Sequence, residues 1–170
     1  MRIGKPFENS VYVLLMLGSQ VENKPVKSSV FSTLLGVSDS SLKKTLRRLV
    51  TAGFIQSSAT RDGGYTLATP LEEITLGDVC RVMEGDPVVD IPHEDLASHI
   101  FSDSLHHSQS ILNDALHDGA DAFVEKLRKV KLSDLLISET GGELHCDWQD
   151  VLSNRDHPRR FDHRRFDSRA

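Results

Sequence analysis

A chain of 170 residues can fold as one domain with an appended element and is too short for a large catalytic scaffold such as an eight-fold barrel. Hydrophobic residues at 38% and charged residues at 26% fit an ordinary globular protein, while aromatics at 6% leave little for ring-stacking recognition. The net charge of -5 hides a split: residues 1–70 hold nine basic and four acidic side chains, a balance of +5, whereas residues 71–170 hold 11 and 21, a balance of -10. A basic segment beside an acidic one suits a DNA reader joined to an assembly module, although solvated faces would carry the same charges.

Phe7, Val11, Leu14, Leu15 and Gly18 recur at helical spacing and predict a first helix from about Phe7 to Gln20. Its apolar run, Val11 to Leu17, falls far short of the ~20 residues that cross a bilayer, so no membrane partner is expected. Glu8 interrupts the basic start and no Ala-x-Ala-like site follows, which argues against a signal peptide and for a cytoplasmic protein. A second, short helix over Ser28 to Leu35 carries Val30, Phe31, Leu34 and Leu35, with Ser28 or Ser29 as its cap and Gly36 as its stop. Ser38 then starts a third helix that reaches about Ala52, with an apolar stripe of Leu42, Leu46, Leu49 and Val50 and Gly53 closing it.

Two alternating segments, Phe54 to Ser58 and Tyr65 to Ala68, read as a hairpin in which Gly63 and Gly64 supply positive-φ conformations. Leu76, Val79, Cys80 and Met83 mark a fourth helix and place Cys80 on an apolar face as a small buried hydrophobe. An acidic loop with His93 and His99 runs from Gly85 to about Ser104, and His106 and His107 follow. Leu112, Leu116, Ala120, Phe123, Leu127 and Val130 next form a stripe along a long helix that needs a partner. From Asn154 the tail is too polar to build a core and is expected to lack fixed structure.

Three helices with a tight Gly36-Val37-Ser38 turn and a glycine-tipped hairpin describe a mainly α fold with a small β-wing: a winged helix-turn-helix plus a long dimerisation helix. The division expected is a DNA-binding domain at 1–85, a sensor-like loop at 86–104, a dimerisation helix and following turn at 105–137, and a partly disordered extension at 138–170. Opposite the leucine stripe of the third helix lie Ser40, Lys44, Arg47 and Arg48. Small donors at its first turn, Ser38, Ser40 and Ser41, with Lys43 and Lys44, are expected at base edges, and Arg47 and Arg48 at phosphates. Arg61, at the hairpin tip beside Gly63 and Gly64, is expected in the minor groove. No nucleophile motif, phosphate loop or HExxH appears, so an enzyme is the least favoured class.

The runs Leu35-Gly36-Val37-Ser38, Leu49-Val50-Thr51-Ala52-Gly53-Phe54-Ile55, Gly63-Gly64-Tyr65-Thr66-Leu67-Ala68, Ile74-Thr75-Leu76-Gly77-Asp78-Val79 and Glu84-Gly85 together resemble the Rrf-two-type transcriptional regulators, small bacterial winged-helix repressors. The likeness spans about residues 7 to 136 and implies a homodimer joined through the long helix and reading a partly palindromic double-stranded operator. Lys131-Leu132-Ser133-Asp134-Leu135-Leu136 resembles the family's final turn, with Lys131 where a Thr is usual.

Two departures stand out. Where the family usually has an Arg-Gly pair in the wing, this chain has Ala59 and Thr60. Where cluster-binding members place three cysteines after the fourth helix, the stretch from Gly85 to His107 has none, so a cluster ligated in that way is excluded. His93, His99 and His106 imitate the spacing of the missing cysteines and, with Glu94, Asp95 and Asp103, offer an alternative as ligands for zinc or a similar ion. Cys80 and Cys146 form neither a CxxC pair nor a disulfide framework, and Asp147 beside Cys146 should raise rather than lower its pKa. The expectation is a homodimeric repressor without cofactor; the other alternative is a degenerate member that acts as a protein-interaction module.

Overall fold

Pro6 stands in the first turn of helix α1, Lys5–Gly18, where its missing N–H would have had no helical partner. The computed structural model describes residues 3–60, 63–85, 106–136 and 145–153. Helix α1 begins and ends two residues earlier than its apolar spacing predicts, and its buried Val13, Leu14 and Leu17 form the middle of the core. Gly18 packs directly beneath the Leu71 side chain, which a Cβ there would displace. The turn after α1 is a short 3-10 helix, Val21–Asn23, in which Glu22 and Asn23 both take positive φ, 55° and 49°. Two such non-glycine residues in succession hold a strain that only surrounding contacts can maintain.

Helix α2, Ser28–Leu35, buries Val30 and Phe31. Its cap position falls on Lys27 with no side-chain bond, so neither Ser28 nor Ser29 caps it; both lie inside its first turn. Gly36 leaves it at φ 64°, a conformation that a Cβ would oppose. Helix α3, Asp39–Thr51, is capped by Ser38, whose Oγ accepts from Ser41 N at 3.4 Å. Its stripe of Leu42, Leu46 and Leu49 is wholly buried, and Thr45 lies buried among them with its hydroxyl directed to the Ser41 carbonyl.

Strands β1, Ile55–Ser57, and β2, Tyr65–Leu67, pair antiparallel with Ile55 opposite Leu67 and Ser57 opposite Tyr65. On the far side of β2, Val26 bridges Tyr65 through two 2.9 Å backbone hydrogen bonds. Gly63 and Gly64 do not take positive φ, contrary to the expectation from sequence. They serve close approach instead: a Cβ on Gly63 would overlap the Ser58 carbonyl, and one on Gly64 would lie 2.5 Å from the Val26 carbonyl oxygen.

A capping box formed by Thr75 and Asp78 opens helix α4, Leu76–Glu84. Helix α5, His106–Arg128, crosses it where Gly77 brings its Cα beside Arg128; a Cβ there would lie 3.0 Å from Arg128 N. The chain leaving α5 is stitched to the start of α4, with Leu76 N donating to Val130 O and Leu132 N to Ile74 O, both at 2.9 Å. Leu132 is buried in the same core as α1 and α3.

The stripe along α5 divides. Ala120 is 6% exposed and Phe123, Leu127 and Val130 are half-buried, whereas Leu112 and Leu116 stand 53% and 39% exposed, with Ile111 beside them at 56%. Val124, outside the expected stripe, is buried. Beyond it, residues 145–153 return to the back of the domain and end in helix α6, Trp148–Ser153, which packs against α2. No helix of the described residues is long and apolar enough to cross a membrane.

Candidate nucleic-acid interface

Burying one face of α3 forces the opposite face outward, because a 3.6-residue repeat that places Leu42, Leu46 and Leu49 inside must place the residues between them outside. Ser38, Ser40, Ser41, Lys43, Lys44 and Arg47 are all exposed. No ion pair among the described residues neutralises Lys43, Lys44 or Arg47. An open cleft of about 660 Å³ runs along this edge, lined by Lys44, Arg47, Arg48 and Thr51 and by Pro6 and Val82 across from them. Its charge is positive and its walls are partly apolar, a surface suited to a polyanion.

Two of the predicted contact residues have further duties. Ser38 Oγ caps the helix and sits 3.3 Å from Ser40 Oγ, so the first-turn hydroxyls form a small network. Arg48 Nη1 donates to the Met83 carbonyl at 2.6 Å, which uses one arm of the guanidinium to tie α3 to the end of α4. This link between residues 35 positions apart had no sequence signal. The C-terminal end of α4 is bound a second time, by Gly4 N donating to Glu84 Oε1 at 3.1 Å. The end of α4 is thereby held on one side by α3 and on the other by the start of the chain.

The wing stands next to the start of α2. A smaller open groove of about 330 Å³ lies between Lys27, Ser28 and Ser29 on one side and Ser58, Thr60, Gly63 and Gly64 on the other. Tyr65 holds the wing to the core: its ring meets Phe31 edge-on with centroids 6.5 Å apart. Arg61, expected at the tip, lies outside the described residues, as do His93 and His99. Leu112 and Leu116 of the expected dimer edge are exposed on α5, while Ala120, Phe123, Leu127 and Val130 lie along its more covered part.

The two cysteines are far from thiolate ligands. Burial pushes the Cys80 thiol up, with nearby Glu84 adding to the shift. Burial pushes Cys146 up to about 11; a hydrogen bond with Ser19 opposes this and Asp147 adds to it. Both are free and buried, and among the described residues no group of three His, Cys, Asp or Glu could hold a metal. Two buried thiols held in the neutral form do not fit the thiolate ligand set of an iron–sulfur cluster.

Residues 3–138 match the Rrf2 family, described as "Iron-dependent Transcriptional regulator". YffB of Lactococcus lactis subsp. lactis (strain IL1403), named as an HTH-type transcriptional regulator, is 32% identical over 133 residues, which cover 78% of this chain and 85% of that protein. Among solved structures, CymR, the global cysteine regulator of B. subtilis, superposes with a TM-score of 0.57 at 23% identity over 79% of this chain and 95% of that one. IscR of T. potens superposes with a TM-score of 0.60 at 22% identity over 80% and 86%. At such identities the structural likeness shows the fold: a winged helix.

Proposed function

The chain belongs to the Rrf2 family of transcriptional regulators and is a DNA-binding winged-helix protein, and from that premise we infer that it is a homodimeric repressor that works without an iron–sulfur cluster or any catalytic step. The observation that carries this reading is the outer face of α3, where Lys43, Lys44 and Arg47 are exposed and, among the described residues, without an ion-pair partner, over a fully buried leucine stripe. Residues 1–85 read the operator. Ser40, Ser41, Lys43 and Lys44 approach base edges, Arg47 and the free arm of Arg48 hold phosphates, and Arg61 with Gly63 and Gly64 presents the wing. Ser38 acts chiefly through the cap it forms.

Assembly is supported by Ile111, Leu112 and Leu116, three large apolar side chains exposed on one half of α5. A two-fold axis through residues 105–137 would cover them and set two recognition helices about 34 Å apart, or a multiple of that, as a palindrome requires. Absence of cluster chemistry is supported by the cysteine-free stretch from Gly85 to His107 and by the raised pKa values of the two buried thiols. Such a protein works in the cytoplasm, where its operator is.

The test is to select genomic fragments with the purified full chain and measure affinity against salt. A partly palindromic site is expected, with affinity that falls steeply as salt rises because each neutralised phosphate releases counterions. Failure to retain any fragment, or binding indifferent to salt, would overturn the reading.

A further inference from the structure

Residues 145–153 lie beyond the stretch that matches the family, yet they are built into the DNA-binding domain by a continuous set of bonds. Cys146 adds a parallel bridge to the end of α1: its N–H donates to Ser19 O at 2.9 Å and its carbonyl accepts from Val21 N at 3.2 Å. Trp148 follows, with Nε1 donating to Met16 O at 2.7 Å and its backbone N–H to Gln20 Oε1 at 3.2 Å. Gln149 Nε2 then reaches across to Pro25 O at 3.0 Å. The segment grips both sides of the left-handed Glu22–Asn23 pair, the only non-glycine residues with positive φ among the described residues.

What the grip controls is next in line. Pro25 precedes Val26, whose N–H and carbonyl hold Tyr65 of the wing. Gly64 leaves no room between that carbonyl and the wing, so a shift of Val26 must be followed by β2. We propose that residues 145–153 are a clasp that positions the wing for DNA, with Trp148 and Gln149 as positioning residues that act through Pro25 and Val26 on Tyr65. Neither residue touches DNA. The clasp deepens the reading of the wing as a DNA contact and rests on it.

Two mild variants separate the clasp from general stability: Gln149→Ala deletes the bond to Pro25, and Trp148→Phe removes the indole N–H but keeps an aromatic ring. Amide hydrogen exchange of the free full chain should accelerate about fivefold or more at Val26 and Tyr65, the effect of losing one hydrogen bond, with Leu46 and Leu49 of α3 unchanged. Hydroxyl-radical footprints should lose protection at the outer flanks of the operator, where the wing lies, and keep it in the inner major grooves. Unchanged exchange at Tyr65, equal acceleration throughout α3, or unchanged flank protection would each overturn the proposal. Because exchange is read without DNA, a native chain that binds no operator overturns the functional reading separately.

Discussion

Helices α3 and α5 carry leucine stripes of similar spacing but meet different surroundings. Leu42, Leu46 and Leu49 of α3 reach the core that α1, α4 and β1 close over them. On α5 the same pattern is covered by the chain's own α4 only along its second half, and Leu112 and Leu116 face outward. An apolar stripe therefore states that a cover is needed and leaves open whether the cover comes from the same chain or from a copy. In α3 the answer is internal, which frees the opposite face for a polyanion. In α5 the answer is divided, and the division falls between Leu116 and Ala120.

The contrast can be broken most severely at its buried end. Leu46→Ala should remove about 2–5 kcal/mol of stability in a denaturant titration, whereas Leu112→Ala should change the unfolding free energy of the dilute protein by less than about 0.5 kcal/mol. Equal losses would mean that α5 is covered within one chain. A charge at the exposed end gives the converse result: Leu116→Asp should leave unfolding nearly unchanged and yield monomers by sedimentation. Operator affinity should drop on the order of a hundredfold as two linked half-sites become independent.

A finer contrast lies within α3. Arg47→Ala should weaken binding to every sequence and reduce the log–log salt slope by about one, with no change in stability. Arg48→Ala should instead lose about 1–3 kcal/mol of stability, because the Met83 carbonyl is left without its donor. Matching salt slopes with equal unfolding midpoints would erase that distinction. The smallest effect belongs to Cys146, outside both stripes. Its raised pKa means that the folded state keeps the thiol neutral after the unfolded chain has ionised. Its share of stability is therefore complete below the ordinary thiol value near ~8.5 and disappears as pH climbs to about 11. Alkylation of the native protein at pH 8 should accordingly be slow at Cys146, and rapid labelling there would contradict its burial.

Patterns with a fixed period were legible in the sequence. The bounds of α2, the Ser38 cap, Gly36 and Gly53 as helix ends, and the pairing of the hairpin all follow from spacing and turn chemistry. Illegible were features decided by tertiary contact. Gly63 and Gly64 look like turn residues but act by removing Cβ atoms from Ser58 and Val26. Arg48 looks like any outward cation, and its tie to Met83 depends on where α4 comes to rest. Trp148, Val151 and Leu152 at i, i+3, i+4 were a signal for α6, but one turn of apolar spacing in a polar terminus is too short to stand apart from chance. The exposed cationic face of α3 was the most legible part of the candidate site because it is the complement of the leucine stripe.

Gly77 makes α4 and α5 a lever and its fulcrum. Helix α5 extends 23 residues, about 35 Å at ~1.5 Å per residue, from a crossing held by Arg128 against the bare Gly77 backbone. A side chain at that point would wedge the helices apart, and a tilt of about 5° would carry the far end of α5 by roughly 3 Å, close to the rise of one base pair. The missing Cβ thus sets the angle of α5 against α4, and with it how far Leu112 and Leu116 stand from α3; in the proposed dimer that angle would fix which half-site spacing along a duplex the pair can span.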